Sequence, residues 1–139
     1  MVTHGQATDP FWSVVSNGAK DAAKGLGIDF YYQSPQNFDM ITMSQIIDAV
    51  VSTNPDGIIV SVPDVAALKN SILAASKKDI PIIVINAGSE IMEEVDILTY
   101  VGQSEYEAGM KAAKELIKYN ITTALCLSLI HISEPTRPY

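Results

Sequence analysis

Two short, almost purely apolar runs are the strongest constraint on the fold of this chain. Residues Gly57 to Val62 read GIIVSV, and residues Ile80 to Ile85 read IPIIVI. Runs rich in β-branched residues and bounded by turn residues are typical of parallel strands that are covered on both faces. Amphipathic helical patterns alternate with such runs, so the sequence predicts an α/β fold with a doubly wound parallel sheet and right-handed crossovers.

Capping signals and breakers place the helices. Apolar residues at helical spacing run from Phe11 to Leu26 and end at two glycines, where helices commonly close. Asp39 is expected to cap a second helix, and Pro63-Asp64 to start a third that continues through Lys77. Ser104 and Glu107 form an S-x-x-E capping box ahead of a fourth. Two further strands are expected, at Ile28 to Gln33 and at Leu98 to Val101.

Composition excludes several classes of function. The chain has 139 residues, 47% of them hydrophobic and 18% charged, which suits one domain with a real core. Its net charge of −7 argues against nucleic acid or an anionic membrane as partner. The single cysteine excludes an internal disulfide, and no Cys/His cluster has the spacing of zinc ligands, so no structural metal is implied. No cofactor is predicted. The chain shows neither an export signal nor an apolar stretch of about 18 residues that could insert into a membrane.

Both ends of the chain look cut. Residues Ile121 to Leu125, ITTAL, read as the start of a strand. The tail from Leu127 to Tyr139 abandons this pattern and resembles a transposase-type sequencing adapter translated in frame, so we exclude it from fold reasoning. Residues 1–126 are then the native part, and Met1 is interpreted as an internal methionine. The alternative is a natural short protein with a frayed tail.

The segment Thr3 to Trp12, THGQATDPFW, is the strongest functional signal. Asp9 can cap the helix that follows, and Pro10 suits its first position because no N–H is needed there. Phe11 and Trp12 therefore leave the turn in a fixed direction. Ligands of open α/β sheets bind at the carboxyl ends of strands, and a rigid ring beside polar groups suits a sugar.

Polar residues follow the other predicted strands and are expected at the same edge of the sheet. They are Ser34 to Asn37, Ser61, Asn86 with Ala87, and Gln103. The same residue types also form turns and caps, so a purely structural role stays open for each of them. Phe11 belongs to the apolar series of helix one and could be a core residue, whereas Trp12 is harder to bury on that face. His4 is either polar surface or a hydrogen-bonding residue.

Known catalytic templates are absent from the sequence. There is no G-x-G-x-x-G after the first strand, no phosphate-binding G-x-x-x-x-G-K-S/T loop and no G-x-S-x-G elbow. An acidic loop at Glu93, Glu94 and Asp96 is better interpreted as solvated surface than as a cation site. The prediction is a binding protein that is not an enzyme.

Four motifs in order carry a family resemblance. They are THGQATDPFW, NPDGIIVSVPD (54–64), IPIIVINAGS (80–89) and VGQSEYEAG (101–109). From Thr3 to Cys126 the chain resembles the sugar-type periplasmic substrate-binding proteins of ABC importers. The resemblance implies the type I fold of two doubly wound lobes joined by a hinge. This chain would be the N-terminal lobe, with residues 121–126 as the first strand of a missing second lobe.

The resemblance also implies roles for individual residues. Asp9 and Phe11 occupy polar and stacking positions, Asn86 stands where ribose-type members place an aspartate, and Gln103 would be a lesser contact. Ala87 replaces a frequent arginine, which argues against ribose. The predicted substrate-binding set is listed by position: Asp9, Phe11, Trp12, Asn86 and Gln103.

The implied activity is extracytoplasmic or periplasmic binding of a monosaccharide or polyol, delivered to an ABC permease. Because half a cleft is present, this chain alone is expected to bind sugar weakly or not at all. Two alternatives remain open at this stage: the ligand-sensing core of a LacI-type transcription regulator, which has the same fold, and a small flavodoxin-like α/β enzyme.

Overall fold

The computed structural model describes residues 1–5 and 9–125, and the structural statements below concern those residues. The chain divides into two units, Met1–Gln103 and Ser104–Tyr139, which are described separately. The helices are α1 (Pro10–Leu26), α2 (Met40–Ser52), α3 (Val65–Ser76) and α4 (Glu105–Ile117). The strands are β1 (Ile58–Val60), β2 (Ile82–Asn86) and β3 (Thr99–Gly102), and a 3₁₀ helix spans Ser89–Glu93.

The sheet is parallel and its order is β1-β2-β3. Val60 of β1 pairs with Val84 of β2, and Val84 pairs with Tyr100 of β3. Val2 extends the sheet beyond β1, because it forms parallel bridges with Val60 on one side and Gln33 on the other. From one edge of the sheet to the other, the extended segments are therefore Gln33, Val2, β1, β2 and β3. Numbered by their position along the chain, they follow the order 2-1-3-4-5, which is the flavodoxin-like doubly wound order. The predicted α/β class is confirmed.

One predicted strand is much shorter than expected. Of residues Ile28 to Gln33, only Gln33 bridges to a neighbour, and Ile28 and Tyr31 are exposed. This segment lies at the edge of the sheet, where its partner is the short stretch around Val2. Gln33 N–H donates to the Met1 carbonyl (2.9 Å), and Thr3 N–H donates to the Gln33 carbonyl (3.2 Å). Because this partner is so short, the segment forms a single bridge instead of a continuous ladder of hydrogen bonds.

The core lies between one face of the sheet and helices α2 and α3. Fully buried side chains alternate along β1 and β2, as expected when one face of each strand is covered. Those helices contribute their apolar stripes to the same cluster. The largest core side chains are Met43, Ile47, Leu68, Ile72, Ile82, Val84 and Ile91.

Three aspartates start the helices of the first unit. The carboxylates of Asp9 and Asp39 accept the N–H groups of Phe11 (2.8 Å) and Ile41 (2.9 Å), and Asp64 accepts that of Ala67 (3.0 Å). Each satisfies a backbone donor that has no partner within its helix. Helix α1 ends at Gly27, whose φ of 69° lies in the left-handed region that glycine adopts without strain. These predicted caps are confirmed.

The second unit contains α4, which begins as the sequence predicts. The Ser104 hydroxyl accepts the Glu107 N–H at 3.2 Å. Residues 121–125 have no regular secondary structure, so the strand expected to start at Ile121 is not formed. A strand requires a paired neighbour, and these residues have none among the described strands. The segment interpreted as an adapter, Leu127 to Tyr139, lies outside the described residues.

We expect Ile47→Ala in α2 to lower the free energy of unfolding by about 2–5 kcal/mol, because Ile47 is 0% exposed and its truncation leaves a cavity. The matched control is Ile41→Ala in the same helix, where the side chain is 71% exposed and the expected change is within about 0.5 kcal/mol. Urea unfolding of both variants measures the difference. Equal losses would show that α2 does not pack on the sheet as described.

Candidate functional site

The order of the sheet places a crevice at the carboxyl end of the Val2 segment. From Val2 the chain runs to the Gln33 side of the sheet, and it later returns to form β1 on the other side of Val2. In doubly wound sheets the ligand crevice lies at this reversal, outside the carboxyl ends of the two diverging strands. The first residues after these strand ends are Thr3 and His4 on one side and Ser61 and Val62 on the other.

His4 and Ser61 join the two strand ends at this crevice. The His4 N–H donates to Ser61 Oγ at 3.0 Å, and His4 Nδ1 lies 2.8 Å from the same oxygen. Ser61 is completely buried, and its N–H continues the ladder by donating to the Val2 carbonyl (3.2 Å). His4, which follows the Val2 segment, is thereby bonded to Ser61, which follows β1 directly.

Burial determines the charge of His4. Desolvation lowers the pKa of its imidazole below the ordinary value of 6.5, and the nearby Asp9 carboxylate opposes this shift by a smaller amount. The imidazole is therefore neutral near pH 7, with one nitrogen as donor and the other as acceptor.

Four aromatic rings contact one another in series, and we call them the aromatic group: His4, Phe11, Trp12 and Phe38. Trp12 meets His4 edge-on with 5.1 Å between ring centroids, and Phe11 meets Trp12 in the same way at 5.0 Å. Phe38 also meets the His4 imidazole edge-on, with 5.8 Å between ring centroids. Edge-to-face contacts at these distances are favourable for aromatic pairs.

The two rings at the start of α1 are placed opposite to expectation. Trp12 is 3% exposed, whereas Phe11 is 54% exposed, so the expectation that Trp12 is the harder ring to bury is wrong. The reason is the preceding turn: Gly5 lies directly on the Trp12 indole, where a β-carbon would overlap the ring. Of the two rings, Phe11 is the one with a face accessible to a ligand.

Asp9 has the structural role of the predicted helix cap. Its carboxylate accepts the Phe11 N–H, so it caps α1 and fixes the direction in which the ring leaves the turn. Asp9 is half-buried, and a carboxylate oxygen has more than one acceptor position. Capping therefore leaves Asp9 able to accept a further hydrogen bond.

Asn86 ends β2 in a conformation that non-glycine residues seldom adopt. Its φ is 65°, and the Ala87 N–H donates to the Ile85 carbonyl at 2.8 Å, which closes a γ-turn around Asn86. Such strain persists only where the surroundings enforce it, and it is concentrated at binding and catalytic sites. Here the Ala87 carbonyl accepts the Val62 N–H at 2.9 Å, which ties the turn to the residue after Ser61.

Tyr100 joins Asn86 to Gln103. The Tyr100 hydroxyl lies 2.7 Å from the Asn86 carbonyl and 3.1 Å from the Gln103 carbonyl, so one side chain connects the ends of β2 and β3. The Asn86 side chain is half-buried and Gln103 is exposed. No hydrogen bond among the described residues joins the Asn86 side chain to the aromatic group.

A surface cavity of about 250 Å³ lies beside the start of α2. Its lining consists of Pro35, Gln36, Asn37, Asp39 and Thr42. Asp39 is already engaged there, since it accepts hydrogen bonds from Ile41 N–H and from the Thr42 hydroxyl. Three residues of the predicted strand exit, Pro35, Gln36 and Asn37, thus line this cavity.

Sequence reasoning missed the pairing of His4 with Ser61 and the parts played by Phe38 and Tyr100. Ser61 has the clearest sequence signal, because it follows a buried strand directly.

Within the described chain no three His, Cys, Asp or Glu side chains group as metal ligands, and Glu94 of the acidic loop pairs with Lys69. No described helix has the length and apolarity needed to span a bilayer.

Residues 1–123 match the family model for the periplasmic binding protein domain. The chain belongs to this family. The resemblance carried by its four sequence motifs is therefore confirmed, and so is the type I α/β fold with a parallel sheet. A comparison with curated proteins finds no match to this chain.

Solved structures resemble this periplasmic binding protein domain closely. A periplasmic sugar-binding protein of an ABC sugar transporter from Legionella pneumophila is 28% identical with a TM-score of 0.78, over 86% of this chain and 44% of its own. A carbohydrate transporter from Acidothermus cellulolyticus in complex with myo-inositol is 32% identical with a TM-score of 0.77, over 86% and 41%. A glucose-galactose binding protein from Geobacillus stearothermophilus is 27% identical, with a TM-score of 0.77, over 86% and 41%.

The domain therefore spans less than half the length of these neighbours, as expected for a single lobe. The names of these neighbours describe transport and binding proteins.

Gly5→Ala tests the packing of the turn on Trp12. We expect it to lower the free energy of unfolding by roughly 1–3 kcal/mol, because the added methyl group overlaps the indole ring. It should also change the emission of Trp12, the single tryptophan. Gly18→Ala within α1 is the matched control, since it has open space around it and should stabilise by about 0.5–1 kcal/mol. A neutral Gly5→Ala would contradict the close approach.

His4 should make stability depend on pH. Because its pKa is lowered on folding, the unfolded chain takes up the proton first as the pH falls. The free energy of unfolding should decrease below about pH 6.5 and level off once the folded imidazole is also protonated. Urea unfolding from about pH 5 to 7.5 measures this loss, and His4→Gln should remove it.

The Met1 amino group also has a pKa that is lowered by burial. Because this group is the same in both proteins, its contribution cancels in the comparison. Parallel curves for the two proteins would contradict a buried, neutral His4.

Proposed function

We propose that this lobe binds one side of an uncharged monosaccharide or polyol, without catalysis. Phe11 would stack on the C–H face of the ligand, while Asp9, Asn86 and Gln103 would form hydrogen bonds with its hydroxyl groups. The observation that carries the proposal is the half-exposed Phe11 ring, directed by the Asp9 cap, at the reversal point of the sheet. Rings beside a few convergent polar groups are typical of small-molecule sites.

The charges at the candidate residues favour a neutral ligand. The set contains one carboxylate, Asp9, and two amides, Asn86 and Gln103, and no lysine or arginine belongs to it. His4 adds no positive charge near pH 7, because burial lowers its pKa. Sugar acids and sugar phosphates would bring an anion to a site without a cation, which is unfavourable.

Trp12 has a supporting role in this proposal. Its ring is buried beneath Gly5 and contacts both Phe11 and His4, so it holds those two rings in place rather than stacking on the ligand. This narrows the predicted set of contacts to Asp9, Phe11, Asn86 and Gln103.

The complete protein would enclose the ligand between this lobe and a second one, in the periplasm or outside the membrane, and deliver it to an ABC permease. Support comes from the family match and from neighbours named as sugar-binding proteins of ABC transporters, one of them in complex with myo-inositol. The shared family agrees with binding without chemistry.

Half a site should bind with about half the free energy. A two-lobed site of roughly micromolar affinity corresponds to about −8 kcal/mol, so one lobe should bind in the millimolar range. We expect titration of the ¹⁵N-labelled chain with myo-inositol, arabinose or glucose, to about 100 mM, to shift the signals of Phe11, Asn86 and Gln103. Calorimetry should show no micromolar binding.

Phe11→Ala and Asn86→Ala should each abolish these shifts. Val14→Ala is the control, because Val14 is exposed on the same helix and lies outside the proposed site. Glucuronate should give weaker shifts than glucose, since the site has no cation for its carboxylate. The proposal fails if no neutral sugar or polyol shifts these signals, or if both site variants respond as the unsubstituted chain does.

A further inference from the structure

The hydrogen bonds of the Ser61 hydroxyl determine which imidazole nitrogen of His4 carries the proton. Ser61 is 0% exposed, so its hydrogen-bonding groups must find partners inside the protein. Its Oγ lies within hydrogen-bond distance of two groups of one residue, the His4 backbone nitrogen at 3.0 Å and His4 Nδ1 at 2.8 Å.

Counting donors and acceptors settles the direction of both bonds. The His4 backbone N–H can only donate, so Ser61 Oγ accepts it and keeps its own hydrogen to donate. Among its hydrogen bonds His4 Nδ1 is the single acceptor for that hydrogen. Nδ1 therefore accepts from the hydroxyl, and a neutral imidazole must carry its proton on Nε2.

Among the described residues the Nε2–H group has no hydrogen-bond partner, and Nε2 is not one of their fully enclosed unpartnered polar atoms, which are Ser16 Oγ and Ser34 Oγ. His4 itself is only half-buried. Trp12 and Phe38 meet the imidazole edge-on at 5.1 and 5.8 Å and limit the rotation of its ring.

We propose that His4 is a ligand-binding residue that donates its Nε2–H to an oxygen of the ligand, and that Ser61 is the positioning residue that maintains this tautomer. The inference rests on the proposed function, since the ligand oxygen is a hydroxyl or ring oxygen of the neutral sugar or polyol. It adds a donor beside Asp9, which can only accept when ionised. A hydroxyl that bridges the two would accept from His4 and donate to Asp9.

The first test needs no ligand. Long-range ¹H–¹⁵N spectra of the imidazole distinguish a proton on Nε2 from one on Nδ1, and we expect Nε2–H in the unsubstituted chain near pH 7. Ser61→Ala should give a mixture of the two tautomers, because the donor to Nδ1 is gone. Ser71→Ala is the matched control, being another buried serine, and should leave the tautomer unchanged. A proton on Nδ1 in the unsubstituted chain would overturn the role of Ser61.

The second test is titration with myo-inositol, followed by the same spectra. The amide nitrogen of a glutamine can replace Nε2 as donor, whereas that of asparagine is placed nearer to Nδ1. We expect His4→Asn to weaken binding about tenfold, His4→Gln to stay within about threefold, and Ser61→Ala to weaken it about threefold. Folding of each variant is checked in its ligand-free spectrum.

The outcomes separate this inference from the proposed function. If the unsubstituted chain responds to sugars and His4→Asn binds equally well, His4 is not a ligand-binding residue. If no sugar shifts any signal of the unsubstituted chain, the proposed function fails and the ligand role of His4 fails with it. The ligand-free spectra then still decide whether Ser61 maintains the tautomer.

Discussion

The parallel pairing of Val2 between Gln33 and Val60 is the interaction on which the rest of the site depends. The Val2 N–H donates to the Ile59 carbonyl at 2.8 Å, the Val2 carbonyl accepts the Ser61 N–H, and residues on either side of Val2 bond to Gln33. This short stretch separates the two halves of the sheet, so the chain diverges on either side of it. The divergence creates the crevice, and the same pairing brings His4 beside Ser61 although 57 residues separate them. Without it the aromatic group would have no fixed position relative to β1 and β2.

The edge of the sheet is rigid because neighbouring strand ends are bonded to each other. Ser61 connects the first strand segment to β1, the Val62 N–H connects β1 to the turn after β2, and the Tyr100 hydroxyl connects β2 to β3. The γ-turn at Asn86 is strained, and these cross-strand bonds are what maintain it. A surface assembled in this way is preorganised, so less ordering would be required for the binding that we propose there. Such rigidity suits a lobe that would close on its ligand as a single body.

Asp9 caps α1, and in the proposed site the same carboxylate would also bind the ligand. Its carboxylate starts α1 and thereby directs Phe11, and it also lowers the cost of a nearby protonated imidazole. Helix N-caps and ligand contacts demand the same chemistry, an exposed oxygen acceptor at the end of a strand-to-helix turn. This overlap explains why turn-forming residues at strand exits cannot be divided by type into structural and functional ones.

The sequence by itself determined the features that depend on local order: the α/β class, the helix caps at Asp9, Asp39 and Asp64, the buried runs of β1 and β2, and the family. Each follows from the periodicity or turn chemistry of residues close together in the chain. Only the tertiary structure decided that Trp12 is buried and Phe11 exposed, that the strand expected at Ile28 to Gln33 is a single bridge, and that His4 meets Ser61 and Tyr100 meets Asn86. These outcomes depend on which segments become neighbours in the sheet, and helical spacing or strand propensity contains no information about a partner that lies tens of residues away.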